Sequence, residues 1–141
     1  MKRDVVEVRI AQACDNLYHS ELSLIKTKTH ERTIAAHLVS YLKPLFEDFG
    51  VDAEYNREGA VGEPKRDLDG NLLRPDIIIH FRHRIHGPNI AAIQIKGYWN
   101  NEDRGKDEND LRKLRAKYGY AFTYRLELKT DSYDLIPVTP G

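Results

Sequence analysis

Apolar residues near the N-terminus recur at three- and four-residue steps. Val6, Ile10, Ala13 and Leu17 line one face, which predicts an amphipathic helix over residues 4–20. The polar stretch Lys26-Thr27-Lys28-Thr29 ends that pattern, and Thr29 is a candidate N-cap for a second helix. From His30 the helical spacing resumes through Ile34, Leu38, Leu42, Leu45, Phe46 and Phe49, until Gly50 stops it. Pro44 lies inside this run, where it kinks the helix or starts a new turn.

Beyond Gly50 the period changes to two, and Val51-Asp52-Ala53-Glu54-Tyr55 alternates as a strand. Residues 58–74 are rich in Gly, Pro, Asp and Asn, with Asp69-Gly70 as a hairpin tip. Two isoleucine-rich runs come next, predicting strands near 75–82 and 89–96 joined through Gly87-Pro88. The polar segment from Gly97 to Asn109 reads as a loop. It leads into a helix whose apolar stripe is Leu111, Leu114 and Tyr118. Strands over 120–128 and 133–138 close the chain. Two helices, a three-strand meander, a crossover helix and one or two strands predict an α/β sandwich with a mixed sheet. One domain over residues 1–141 is expected, with a core over about 29–138.

Composition supports this picture. The chain has 141 residues, 40% apolar and 31% charged, which suits one modest core under a solvated surface. No run approaches the roughly 20 apolar residues that span a bilayer. Residues 1–9 are too often interrupted by charge to form a signal peptide, so a cytoplasmic protein is the expectation. The single cysteine, Cys14, allows no internal disulfide and reads as a small packed hydrophobe. Lys plus Arg equals Asp plus Glu at 22 each, which counts against a strong nonspecific grip on nucleic acid. The most basic segment, residues 57–97, has seven basic against five acidic residues, together with His80, His83 and His86.

That segment also carries the candidate chemistry. Alternation along a strand puts Gln94 and Lys96 on one face and Ile93 and Ile95 on the other. By the same rule Asp76, Ile78 and His80 share a face, opposite Ile77, Ile79 and Phe81. Pairing of the two strands would bring a carboxylate, an amide oxygen and a lysine to one sheet edge. A carboxylate that holds a metal beside a lysine that meets an anion suits attack on a phosphodiester.

A helix bearing Glu31, a meander carrying Pro75-Asp76 and Gln94-Ile95-Lys96, and a crossover helix together resemble the PD-(D/E)xK nuclease superfamily. The resemblance spans about Glu31 to Leu128. It implies a restriction-endonuclease-like three-layer sandwich, a central mixed sheet flanked by helices. It further implies a metal-dependent nuclease acting on DNA. Asp76, Gln94 and Glu31 would hold Mg2+, for which Mn2+ can substitute, and Lys96 would stabilise charge or position the attacking water. The chain departs from the pattern at Gln94, where the family's second acid is replaced by an amide. A competing expectation is therefore a weak or inactive module of the same fold that binds nucleic acid or assembles a complex. Neutral charge and the lack of a separate DNA-binding domain also suit a homodimer or a subunit of a larger complex.

Other residues admit two readings each. Asp76 after a proline can simply start a strand, Lys96 can be a solvated strand end, and Glu31 can serve only the helix dipole. His80, placed with Asp76 by alternation, can approach substrate. Steps of three along a strand keep His80, His83 and His86 from converging on zinc. Arg57 can reach a phosphate or end a strand in solvent. Tyr98 and Trp99 can stack on bases or cap the core. Lys106, Arg112, Lys113, Arg115 and Lys117 form either a phosphate-tracking face or an ordinary solvated one.

Overall fold

Helix α1 (Arg3–Lys26) buries Val6, Ile10, Ala13 and Leu17, the stripe read from the sequence, together with Cys14 and Ile25. The computed structural model describes residues 1–53, 65–81 and 89–140. Glu21 breaks the helical dihedrals of α1 (φ −138°, ψ 36°), so the predicted end near residue 20 is a kink after which the helix continues. Helix α2 (Glu31–Leu42) comes next. Its N-cap is His30 rather than Thr29: His30 Nδ1 accepts from the Arg32 amide at 3.1 Å. The Thr29 hydroxyl is instead engaged with that of Thr27. Pro44 does start a new turn, a 3-10 segment over Lys43–Leu45. Phe49 and Gly50, read from spacing as the end of that helix, already belong to strand β1 (Phe49–Ala53).

Strands β2 (Ile77–Phe81) and β3 (Asn89–Gly97) complete an antiparallel meander with β1. Helix α3 (Arg104–Tyr118) then crosses over to β4 (Phe122–Leu128), parallel to β3, and β5 (Tyr133–Pro137) pairs antiparallel at the edge. The five-stranded mixed sheet has the order β1-β2-β3-β4-β5. The predicted loop from Gly97 to Asn109 is thus too long. Asp103 caps α3 by accepting from the Gly105 amide at 2.8 Å, and the helix starts at Arg104. Its first turn has no buried apolar residue, so periodicity gives no sign of it. The tip at Asp69-Gly70 is a tight turn, with Gly70 at φ 84° and a bridge between Arg66 and Leu72.

The alternation read from the strands sorts the core into two layers. Ile77, Ile79, Ile93 and Ile95 pack with α1 and α2, whereas Ile78 and Ala92 pack with Leu111 and Leu114 of α3. Helices therefore cover both faces of the sheet. Cys14 lies in the first layer, and burial chiefly, then the Asp15 charge, pushes its thiol up to about 12. It is a packing residue. Among the described residues, no helix is long and apolar enough to cross a membrane. Arg57, Tyr55, His83, His86 and the Gly87-Pro88 connection lie outside the described residues.

Ile93 sits in the middle strand at 0% exposure. Its replacement by alanine should cost about 2–4 kcal/mol of unfolding free energy, measurable by urea denaturation.

Candidate active site

Strand β3 outruns its neighbour. Its pairing with β2 ends at Ile77↔Ile93, whereas pairing with β4 continues through Gln94↔Arg125, Lys96↔Glu127 and Gly97↔Leu128. Pro75 has no amide hydrogen with which to extend the β2 ladder. Asp76 finishes the contact instead. Its amide donates to Ile93 O at 3.0 Å, and its Oδ2 accepts from the Ile95 amide at 2.6 Å. The step between the strands opens into a cleft of about 480 Å³. Asp76, Gln94, Lys96 and Glu31 all line it, joined by Asn100 and Glu102.

Glu31 reaches the cleft because it opens α2, and Asn100 holds it there by donating from Nδ2 to Glu31 Oε1 at 2.6 Å. Asn100 lies in the turn between β3 and α3. Arg104 ties that turn down by donating to the carbonyls of Asn100 (2.5 Å) and Glu102 (2.8 Å). The same guanidinium pairs with Glu127 Oε1 at 3.0 Å, which anchors the turn to β4.

Lys96 is not a solvated strand end, since it is only 7% exposed. Its ammonium donates to Glu102 Oε2 at 2.8 Å and lies 3.5 Å from Asp107 Oδ2. Burial by itself pulls Lys96 toward the neutral form. The Glu102, Asp107 and Asp76 carboxylates outweigh it, so its pKa rises and the side chain stays cationic. Asp107 is itself buried, and desolvation holds its pKa up despite the Lys96 charge. Sequence reasoning missed Asp107 by assigning it to a loop. One signal was present: the stripe of Leu111, Leu114 and Tyr118, carried one turn back, lands on this acid.

Burial chiefly, with the Glu31 and Asp107 charges, pushes Asp76 from its usual 3.8 up to about 7. The Ile95 amide and the Lys96 cation oppose that rise without cancelling it. Among the described residues, no three His, Cys, Asp or Glu side chains cluster as a ready-made metal cage. The hard-oxygen donors at the cleft are the Asp76, Glu31 and Glu102 carboxylates and the Gln94 and Asn100 amides.

The remaining sequence candidates lie elsewhere. His80 comes four residues after Asp76, roughly 13 Å along a strand, and does not line the cleft. Its Nε2 pairs with Asp52 Oδ2 at 2.6 Å while its ring covers Gly50. Trp99 packs against the core and over Gly97, where a Cβ would overlap the indole. Tyr98 is exposed, edge-on to Trp99, with the Lys28 ammonium 6.0 Å from its ring centre. Of the basic residues on α3, Lys106 lines the cleft. Lys113 pairs with Asp67 at 3.3 Å, and Arg112 bonds the Thr139 carbonyl.

No protein-family model, curated protein or solved structure matches this chain.

The raised Asp76 pKa gives stability a defined pH dependence. Protonated Asp76 contributes fully below about pH 4, and the contribution is lost as pH rises to about 7, because only the folded state holds that proton. Asp76→Asn keeps an acceptor for the Ile95 amide and cannot ionise. Its unfolding free energy should gain on the wild type by on the order of a few kcal/mol between those limits. Urea denaturation at pH 4.5 and 7.5 measures it, and parallel profiles for the two proteins would refute the shift.

Proposed function

We propose that this chain is a metal-dependent nuclease of the PD-(D/E)xK type that hydrolyses DNA phosphodiester bonds. The observation that carries the reading is the shared cleft of Asp76, Gln94, Lys96 and Glu31 at the step between β2 and β3. The mixed sheet with a parallel β3–α3–β4 crossover also supports the restriction-endonuclease-like fold. Each residue has a role that its surroundings suit. Lys96, held cationic, would neutralise charge that develops on the scissile phosphate. Glu31 is steadied by Asn100, and Asp76 by the Ile95 amide.

The donor set fits magnesium, which prefers hard oxygens and retains several waters. Asp76, Glu31 and Gln94 would hold it, and a divalent cation there would offset the burial and neighbouring acidic charge that raise the Asp76 pKa. When bound, the ion would supply Lewis-acid stabilisation of the phosphate oxygens. Mn2+ can take its place on the same donors.

The amide at Gln94 and the balanced net charge favour a second reading, a module that binds nucleic acid or assembles a complex without cleaving. Plasmid nicking in Mg2+ or Mn2+ separates the two. Wild-type protein should nick, and Lys96→Ala and Asp76→Asn should each lower the rate by about a hundredfold or more. Nicking that survives both substitutions would exclude this site. Retained DNA binding without nicking in either metal would favour the module.

Gln94→Glu adds a full charge at the cleft. It should tighten Mg2+ binding by about fivefold or more, since a unit charge at contact distance is worth about 1 kcal/mol even in water. Calorimetric titration checks this, and unchanged affinity would remove Gln94 from the donor set.

A further inference from the structure

Lys96 meets two carboxylates that are held very differently. Asp107 is 6% exposed and occupies an apolar-stripe position of α3, and its Oδ2 makes no hydrogen bond. Among the described residues, the Lys96 ammonium, 3.5 Å away, is what compensates that oxygen, so separating the pair would strand a buried charge. The Glu102 side chain is 71% exposed and takes the shorter contact, 2.8 Å. Its backbone is pinned, with the amide donating to Asn100 Oδ1 and the carbonyl accepting from Arg104. Only the side chain need rotate for Glu102 to leave. The two also differ in their relation to the cleft. Glu102 lines it beside Asp76 and Gln94, and Asp107 does not.

We propose that Asp107 is a positioning residue that fixes the Lys96 ammonium from behind, while Glu102 is a displaceable counter-ion occupying the anion subsite on Nζ. The ligand class is a phosphate oxyanion, which would take over the hydrogen bond that Glu102 Oε2 now accepts. An arriving phosphate repels the Glu102 carboxylate and finds a donor already charged and aimed. Rotation of an exposed side chain is a small obstacle, and the buried pair behind it stays intact. Only the identity of that phosphate as a DNA phosphodiester rests on the nuclease reading. The exchange itself is a property of Lys96 and its two partners.

The test observes Lys96 by NMR in protein labelled with 13C at the lysine ε-carbons, titrated with inorganic phosphate. Lys96→Met assigns the signal. Glu102→Gln removes an exposed competitor and should tighten phosphate binding at Lys96 by about two- to fivefold, the range set by exposed ion pairs. For duplex DNA in calcium the same gain should appear, and it should vanish when Glu102→Gln is made on top of Lys96→Met. Asp107→Asn should weaken phosphate binding even though it also removes a negative charge nearby. Equal or weaker phosphate binding by Glu102→Gln would overturn the exchange, as would an undiminished gain in DNA binding in the double variant. Tightening by Asp107→Asn to match Glu102→Gln would overturn the positioning role. Should Asp107→Asn prove unfolded, the Glu102 comparison still decides the exchange, because that side chain lies in solvent. A wild type that exchanges phosphate as described yet never nicks plasmid would sink the nuclease reading and leave this one standing. Nicking without the exchange would do the reverse.

Discussion

The carboxylate of Asp76 accepts the Ile95 amide at 2.6 Å where the backbone ladder between β2 and β3 gives out, and the site depends on that bond. Pro75 cannot extend the ladder, so β2 leaves the sheet while β3 continues for four more residues against β4 alone. An unpaired amide so close to the core would be costly. The side chain of Asp76 satisfies it and is thereby drawn to the step between the strands. One interaction closes the sheet, opens the cleft and fixes the acid that lines it.

Charge at this cleft is arranged around burial. Burial chiefly holds Asp76 toward its neutral form, Lys96 is kept cationic, and Asp107 is buried where an apolar side chain would ordinarily sit. A hydrophobic trio of the same shape would pack without the desolvation penalty. Buried charge held at the end of a strand is a feature of binding and catalytic centres, and the nuclease proposal draws its support from it. The turn from β3 to α3 serves the same end. Arg104 pins its carbonyls, Asn100 steadies Glu31, and Glu102 meets Lys96, so that residues from α2, β3 and the turn face one space.

Much of this was legible in the chain itself. Isoleucine alternation assigned Ile77 and Ile79 to one core layer and Ile78 to the other, and the order of elements came from periodicity. Asp76, Gln94, Lys96 and Glu31 stood out as a set, and they do share a cleft. What failed did so for identifiable reasons. Helical spacing carried Phe49 into a helix, because an aromatic in step with the apolar stripe looks the same in either element. His80 has the parity of Asp76, but parity says nothing of distance along the strand or of Asp52 waiting opposite.

The sequence by itself determined the alternation of faces, the helical stripes and the residue types at the strand ends, because each depends only on neighbours a few positions away. Tertiary structure alone decided that β3 outruns β2, that Asn100 reaches Glu31 across 69 positions, and that Lys96 is buried between Glu102 and Asp107. Whether a lysine is a solvated strand end or a held cation depends on what packs over it. Here that is the first turn of a helix whose start is too polar for periodicity to announce.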